Sequence, residues 1–140
     1  MDELKCIIEE KIEQHNVTLR DLTDLEQDMK DFLRMTDSIY YINCKDLVIK
    51  VDTTINKLMF KECENITVDI NGLIAGLDID KSSNISTVCR TKIGSIIVNN
   101  SSEINLEMSK QHFDKNTYCE INYSKNVNIM DPRKHIYLSK

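Results

Sequence analysis

Three carboxylates and two cysteines are the residues of this sequence whose types and spacing could support chemistry. Asp69, Asp78 and Asp80 fall close together along the chain, and paired carboxylates are what polysaccharide-cleaving enzymes use. Cys44 and Cys63 recur at equivalent places of a sequence repeat, where stacked thiolates could hold zinc. Whether either set can act depends on the elements that carry it.

Neither set is accompanied by the partners that catalysis or metal binding requires. No histidine shares the repeat position of Cys44 and Cys63, and C-x-x-C is absent, so we interpret them as small buried hydrophobes. His112 has no nearby arrangement typical of nucleophilic catalysis, and the sequence contains no Gly-rich phosphate loop, H-E-x-x-H or G-x-S-x-G motif. We therefore expect no enzymatic activity, no cofactor and no metal site.

The segments that must position these residues repeat along the chain. Segments starting at Ile39, Leu58, Leu77 and Ile96 follow one another at steps of 19 residues, and a fifth starts at Cys119 after 23 more. Within each segment, apolar residues alternate at places one, three, nine, eleven and thirteen, as in two strands with one buried face. A fixed period of this length is typical of a solenoid.

A corner separates the two strands of each repeat. The sixth place is always small: Cys44, Cys63, Ser82, Ser101 and Ser124. The eighth place is mostly a turn former: Asp46, Asn65, Asn84, Glu103 and Asn126. Short polar side chains bond to local backbone and tolerate unusual φ. We predict a mainly β protein, a parallel β-helix of about five to six coils.

The N-terminal residues 1–36 are expected to form a short helical cap or extension, with the β-helix domain at 37–140. Four apolar residues of "DELKCIIEEKIEQ" have helical spacing: Leu4, Ile7, Ile8 and Ile12. A second helix is expected over "TDLEQDMKDFLRM", because Thr23 and Glu26 spell a capping box. "NVTLRDL" could form a degenerate first coil. A cap keeps the end of the core dry; a separate partner-binding helix is the alternative.

Charge and hydropathy exclude several classes of partner. The formal charge is −5 over 140 residues, with Lys, Asp and Glu intermixed, which argues against nucleic acid as a ligand. No apolar run approaches the ~20 residues of a membrane span. The acidic start "MDELKCIIEEK" lacks a secretory pattern, so we expect a cytoplasmic protein.

The last strand candidate, "HIYLS", finds no further coil of its own chain with which to pair. An unpaired strand is an open edge that a second copy would close, so we expect a homodimer through the C-terminal strands. The residues expected at its interface are Tyr118, Ile121, Tyr123, Ile129, Ile136, Tyr137 and Leu138.

The repeats from Ser38 to Pro132 match a known family in order and spacing. They read "SIYYINCKDLVIKV", "INKLMFKECENITV", "NGLIAGLDIDKSSNISTV", "IGSIIVNNSSEINLEMS" and "CEINYSKNVNIMDP". This stretch resembles the C-terminal domain of the cyclase-associated proteins. The resemblance implies a right-handed parallel β-helix of about six coils that dimerises by exchanging C-terminal strands. It also implies a cytoskeleton-associated protein that binds ADP-loaded monomeric actin and promotes nucleotide exchange.

Some features depart from the family pattern. The Gly-Lys before the second coil's strand is replaced by "TINK", and the acidic, aromatic tail is reduced to "RKHIYLSK". Without a proline-rich segment or a WH2-like motif, the chain is expected to be a short stand-alone version of the module. The actin-binding candidates are outward, corner and tail charges: Lys57, Asp69, Asp78, Lys81, Arg90, Lys92, Arg133 and Lys134.

A second resemblance supplies the alternative function. The tubulin-folding cofactor C group shares the β-helix and resembles GTPase activators with an arginine finger in a Gln-x-Arg context. Here Cys89-Arg90-Thr91 places an arginine after a cysteine-containing strand, but the Gln is missing. A GTPase-activating β-helix using Arg90 is therefore the second hypothesis. A small carbohydrate-active β-helix is the third.

Overall fold

The computed structural model describes residues 16–29, 33–108, 118–130 and 136–138, and the description below refers to these. Strands occupy most of this part of the chain. In chain order they are β1 (Asn16–Arg20), β2 (Thr23–Met29), β3 (Ser38–Ile42), β4 (Lys45–Lys61), β5 (Glu64–Asp80), β6 (Ser83–Cys89), β7 (Ser95–Asn99), β8 (Ser102–Met108), β9 (Tyr118–Asn122), β10 (Lys125–Met130) and β11 (Ile136–Leu138).

The strands stack in parallel as two faces of a solenoid. The first face contains β1, β3, residues 57–61 of β4, residues 76–80 of β5, β7 and β9. The second face contains β2, residues 45–51 of β4, residues 64–70 of β5, β6, β8 and β10. Each coil contributes one strand to each face, which confirms the predicted parallel β-helix.

The register of the stack equals the period of the sequence. Ile39 pairs with Leu58, Leu58 with Leu77, and Leu77 with Ile96. Equivalent apolar residues therefore lie directly above one another, and a slip by one residue would turn each of them to solvent. The alternation predicted from the sequence is the alternation of the core, since places one and three of these coils are buried at 0–1% exposure.

An aromatic stack lies in this core near its N-terminal end. The rings of Tyr41 and Phe60 are stacked, with centroids 5.3 Å apart. The Tyr41 hydroxyl donates a 2.6 Å hydrogen bond to Oε1 of the buried Gln27. Burial raises the pKa of Tyr41 well above its ordinary value, because the phenolate would lose its solvation. The Tyr41 hydroxyl is therefore held neutral and hydrogen-bonded to Gln27.

Side chains at the sixth place form a ladder along the corner. The Oγ atoms of Ser82, Ser101 and Ser124 each accept a 3.1 Å hydrogen bond from the backbone N–H of the sixth-place residue in the preceding coil. Each hydroxyl also donates to the carbonyl two residues before it, at 2.8–2.9 Å. A small side chain is required here because it must fit inside the corner while satisfying a buried amide.

The eighth place is left-handed in every coil. Asp46, Asn65, Asn84, Glu103 and Asn126 have φ between 55° and 57°, as their turn-forming types predict. Outside the corner, the Asn side chains add a second ladder: the Asn65 amide donates to Asp46 at 2.6 Å and the Asn84 amide to Asn65 at 3.1 Å. The corner is thus fixed by backbone conformation and by contacts between coils.

Two expectations for the N-terminal residues have different outcomes. "NVTLRDL" does supply a first coil, because β1 pairs in parallel with β3. The helix expected over "TDLEQDMKDFLRM" is wrong for Thr23–Met29, which form β2 and pair with β4. The helix expected around Leu4 to Ile12 lies outside the described residues.

The C-terminal strand also differs from expectation. "HIYLS" was expected to find no partner in its own chain, but β11 pairs antiparallel with β10, Tyr137 lying opposite Ile129. β11 therefore covers the edge of the second face that a further parallel coil would have covered. In the described residues no helix is long and apolar enough to cross a membrane.

The corner ladder predicts a graded response at Ser101. Ser101→Ala removes the acceptor for the buried Ser82 N–H and should lower the free energy of unfolding by about 1–3 kcal/mol. Ser101→Cys restores the residue type found at Cys44 and Cys63 and should cost less. Urea denaturation of both variants measures the difference. An alanine variant as stable as the wild type would show that the ladder contributes nothing.

Candidate functional site

A half-buried column of side chains runs across the outside of the first face. Tyr40, Met59, Asp78 and Ile97 occupy the second place of four successive coils and lie side by side in register. All four are partly exposed, so they form surface rather than core. Ile42 lies beside this column on β3 and is also half-buried. With Tyr40 and Met59 it makes a contiguous apolar patch.

Charges of both signs border the patch in adjacent rows. Lys57 Nζ lies 2.7 Å from Asp78 Oδ2, linking the third and fourth coils. Lys61 pairs in register with Asp80 on the next strand. Because these side chains are partly exposed, the ion pair contributes little to stability. The pairing instead holds the charged side chains in place beside the patch. Lys57 and Lys61 form a basic row, and Asp78 and Asp80 form an acidic row.

The outside of the second face has a different chemistry. Val48 and Val88 are exposed there, at 49% and 44%, but they lie two coils apart and in different columns. Polar side chains fill much of the rest, and the Asn128 amide donates a 3.2 Å hydrogen bond to Asn105. Interfaces between proteins are enriched in aromatic residues and Met and depleted in Lys, Asp and Ser. The apolar patch of Tyr40, Ile42 and Met59, and not the charges around it, therefore makes the first face the better candidate for a protein-binding surface.

Arg90 is held by two acidic residues at the margin of the second face. Its Nη2 lies 3.2 Å from Asp52 Oδ1 and donates to the Val51 carbonyl at 3.2 Å, while its Nε lies 3.3 Å from Asp69 Oδ1. The side chain spans three coils, from Val51 in the second to Arg90 in the fourth. An arginine finger must reach a phosphate on another protein. Here the guanidinium is already engaged within its own chain.

The structure does not bring the predicted actin-binding residues together in one site. Lys57 and Asp78 lie on the first face, whereas Asp69 lies outward on the second. Lys81 is at the corner between the faces, exposed, with φ of 50°. Lys92 follows the turn after β6.

The other two actin-binding candidates, Arg133 and Lys134, lie outside the described residues.

The predicted dimer residues fall into three groups. Tyr118 and Tyr123 are exposed, at 57% and 88%, and Ile121 is half-buried at the end of the first face. Ile129 is fully buried in the core of its own chain. Residues 136–138 form β11.

The carboxylates considered for sugar chemistry are separated. Asp78 and Asp80 face outward on the first face, but Asp69 faces outward on the second, so the three do not converge. Their proximity along the sequence was misleading because β5 passes from the second face to the first between Asp69 and Asp78. Among the described residues, no group of three or more His, Cys, Asp or Glu side chains is arranged to hold a metal ion.

The buried thiols contact backbone carbonyls at the corner and fill space in the core. Cys63 Sγ lies 3.4 Å from the carbonyls of both Tyr41 and Lys61, and Cys44 contacts the Ile42 carbonyl at 3.5 Å. A hydrogen bond between these two thiols lowers the pKa of Cys44 and raises that of Cys63. Burial raises the pKa of Cys89 to about 11. With their pKa values raised, Cys63 and Cys89 stay protonated and behave as small hydrophobes.

Sequence reasoning missed the apolar members of the first face. Tyr40, Met59 and Ile97 lie between two inward residues, in the runs "IYY", "LMF" and "IIV". A strand that is polar on its outer side would alternate there. Three consecutive apolar residues at the same places of three repeats were the signal that the outer side of this face is also partly apolar.

Comparisons with known proteins agree with the fold. The family model described as "Adenylate cyclase associated (CAP) C terminal" matches residues 5–137. Cyclase-associated protein 1 of Arabidopsis thaliana is 23% identical over 119 residues, covering 85% of this chain and 23% of that protein. Adenylyl cyclase-associated protein of Schizosaccharomyces pombe is 19% identical over 129 residues, covering 92% and 21%. The chain thus spans less than a quarter of these relatives.

A solved structure shows the same architecture. The crystal structure of cyclase-associated protein from Cryptosporidium parvum superposes with a TM-score of 0.75 at 15% identity, covering 89% of this chain and 77% of that one. At this identity the likeness concerns the fold. Together with the family match over residues 5–137, it shows that the chain belongs to the cyclase-associated protein C-terminal domain family.

Proposed function

We propose that this protein binds monomeric actin through the first face of its β-helix. Family membership implies an actin-binding role, and the observation that favours this face is its contiguous patch of Tyr40, Ile42 and Met59 beside the Lys57–Asp78 ion pair. Apolar contacts supply affinity, and fixed charges of both signs select a partner with the complementary pattern.

The nature of the face favours a folded protein as the partner. A basic row lies directly against an acidic row, so neither a nucleic acid backbone nor an anionic bilayer finds a continuous cationic surface here. In the middle coils the backbone of the sheet is hydrogen-bonded on both sides, which leaves side chains to make the contacts. This suits a broad protein surface.

Promotion of nucleotide exchange is the second part of the proposal. A binder with different affinities for the ADP-, nucleotide-free and ATP-bound states of actin shifts their populations without a catalytic group of its own. Preference for ADP-loaded monomers, followed by exchange, would return monomers to the polymerisable pool. Such a protein would act in the cytoplasm, associated with the cytoskeleton.

A homodimer through the C-terminal end completes the proposal. Of the described strands, β9 pairs only with β7, so its other edge is available to a partner. Its inward residues Cys119 and Ile121 are only half-buried, and Tyr118 and Tyr123 beside them are exposed. A second copy bringing its β10–β11 segment to this edge would bury them. Exchange of the C-terminal strands would therefore join two chains.

A double substitution tests the docking face. Tyr40→Ala with Met59→Ala removes the apolar patch and should weaken binding to ADP-actin monomers by about tenfold or more, because central apolar anchors dominate interface energies. The measurement is a titration of fluorescently labelled actin monomers with each protein, alongside release of a fluorescent nucleotide.

The matched control is Val48→Ala with Thr67→Ala. These two residues face outward in the same two coils, but on the second face, and should leave binding unchanged. If the control pair weakens binding and the Tyr40/Met59 pair does not, actin docks elsewhere. If the wild type does not bind actin at all, the proposed function itself fails.

Removal of the C-terminal strand tests the dimer. Deleting residues 133–140 takes away β11 and should convert the dimer into a monomer, as measured by sedimentation velocity. Arg133→Ala with Lys134→Ala keeps the strand but removes two charges, and should remain dimeric. A dimer that survives the deletion would show that the chains are joined without exchange of this strand.

Arg90→Ala tests the alternative of a GTPase activator. Arg90 links neighbouring coils through its ion pairs with Asp52 and Asp69. Its loss should therefore lower the unfolding free energy by up to about 1 kcal/mol, and by less at high salt. Actin binding should be retained. Stimulation of GTP hydrolysis on tubulin by the wild type, abolished in Arg90→Ala, would instead support the cofactor C-like mechanism.

A further inference from the structure

A third side connects the second face of each middle coil back to the first face. In the second, third and fourth coils it consists of residues 52–56, 71–75 and 90–94. Ile55 pairs with Leu73, and Leu73 pairs with Ile93, so these segments also stack. All three side chains are buried in the core. Ile74, which follows Leu73, is instead 49% exposed on the outside of this third side.

The third coil contains a β-bulge at this point. Leu73 pairs with Ile55, and Gly76 pairs with Lys57. Two residues of the third coil, Ile74 and the alanine after it, therefore lie opposite a single residue of the second coil. A bulge of this kind changes the direction in which a side chain points and is common beside functional sites. Here it places a large apolar side chain in solvent.

Two glycines make room for the bulge. A Cβ on Gly94 would clash with the carbonyl oxygen of Ile74, and a Cβ on Gly76, whose φ is 149°, would clash with that of Ser95. Ser95 Oγ also donates a 2.9 Å hydrogen bond to the Ala75 carbonyl. Glycine weakens a strand and often marks a bulge or the close approach of another backbone. Because the second coil crosses this side without the extra residue, the solenoid itself does not require the bulge.

Ile74 projects beside a cleft of about 200 Å³ on the same side. The cleft is lined by Thr54, Leu73, Ile74, Thr91 and Lys92. A space of this size accepts one apolar side chain of a partner, while Ile74 offers one in return. Anchors that fill such pockets carry most of the energy of protein interfaces.

The apolar patch of the first face is too small to form a specific interface alone. Tyr40, Ile42 and Met59 occupy only two coils, whereas specific interfaces bury about 800 Å² on each partner and involve ~20–30 residues a side. Such an interface is roughly 30 Å across. The partner that docks on the first face therefore also contacts surface beyond one of its edges.

The two edges of the first face differ in chemistry. The corner toward the second face exposes polar and charged residues: Asn43, Glu62, Lys81 and Asn100. At the other edge Gly76 pairs with Lys57, and Ile74 lies two residues, about 7 Å, beyond that pair. Met35, 60% exposed, precedes β3 at the same edge in the first coil. Since charged residues are depleted and Met is enriched in interface cores, the third side is the favoured direction.

We infer that monomeric actin contacts the third side as well as the first face, with Ile74 as an apolar anchor and the adjacent cleft receiving an apolar side chain of actin. This inference rests on the proposed actin binding and specifies where that interface continues. The Lys57–Asp78 ion pair then lies inside the interface, between the patch of Tyr40, Ile42 and Met59 and the anchor Ile74.

Ile74→Ser in the full chain tests the anchor. It should weaken binding to labelled ADP-actin monomers by about fivefold or more, because an apolar anchor is lost. The matched control is Val88→Ser, which is 44% exposed on the second face and should bind like the wild type. Unchanged binding by Ile74→Ser, or an equal loss in both variants, would overturn the inference and leave the proposed function standing. A wild type that does not bind actin would overturn both.

Hydroxyl-radical footprinting of the unaltered protein covers the case in which the Ile74 variant fails to fold. In the complex with ADP-actin, oxidation of Ile74, Met35 and Met59 should fall, while Val88 should be oxidised as fast as in the free protein. Mass spectrometry of the digested protein measures each site. Protection of Met59 with Ile74 still fully reactive would confine the interface to the first face and contradict the inference.

Discussion

The in-register stacking at the corner is the constraint on which the rest of the structure depends. Ser82, Ser101 and Ser124 each use a hydroxyl to accept from the amide of the coil before it, as Ser82 does from Cys63 at 3.1 Å. If a coil slipped by one residue, this amide would be buried without a partner and the inward column would face water. The corner therefore fixes the register, and the register decides which side chains make up each outer face.

The sequence predicted the structure best at those places of the repeat that only one kind of residue can fill. Small residues at the sixth place and turn formers at the eighth predicted the corner, and the eighth place is left-handed in all coils. The fifth place is left-handed too, and in two of the repeats it holds Asn43 and Asn100, a residue type that tolerates this conformation. In the other three it holds Glu62, Lys81 and Tyr123, which do not favour it, so there the conformation is imposed by the stacked strands on either side.

The errors at the two ends share a cause. The helix over β2 was expected because Thr23 and Glu26 spell a capping box, whereas the strand places Gln27 inside, where it accepts a hydrogen bond from Tyr41, fourteen residues away. β11 looked unpaired because its partner strand runs antiparallel, outside the period of the repeat. Likewise, Arg90 reaches Asp52 across 38 positions. Contacts between residues that are not one repeat apart form only in the assembled solenoid, so the repeat pattern of the sequence does not predict them.

The difference between inward and outward places of the repeat explains how a related chain can have this fold at low sequence identity. The inward columns and the corner are fixed by packing and by hydrogen bonds between coils, whereas an outward residue contacts mainly its two neighbours in the column. Outward places can change without disturbing register, so a structure at 15% identity still superposes with a TM-score of 0.75. The outward apolar residues Tyr40, Met59 and Ile97 are not required by the solenoid. Their position on one face is the reason that face, and not the second, is the one proposed to bind a partner.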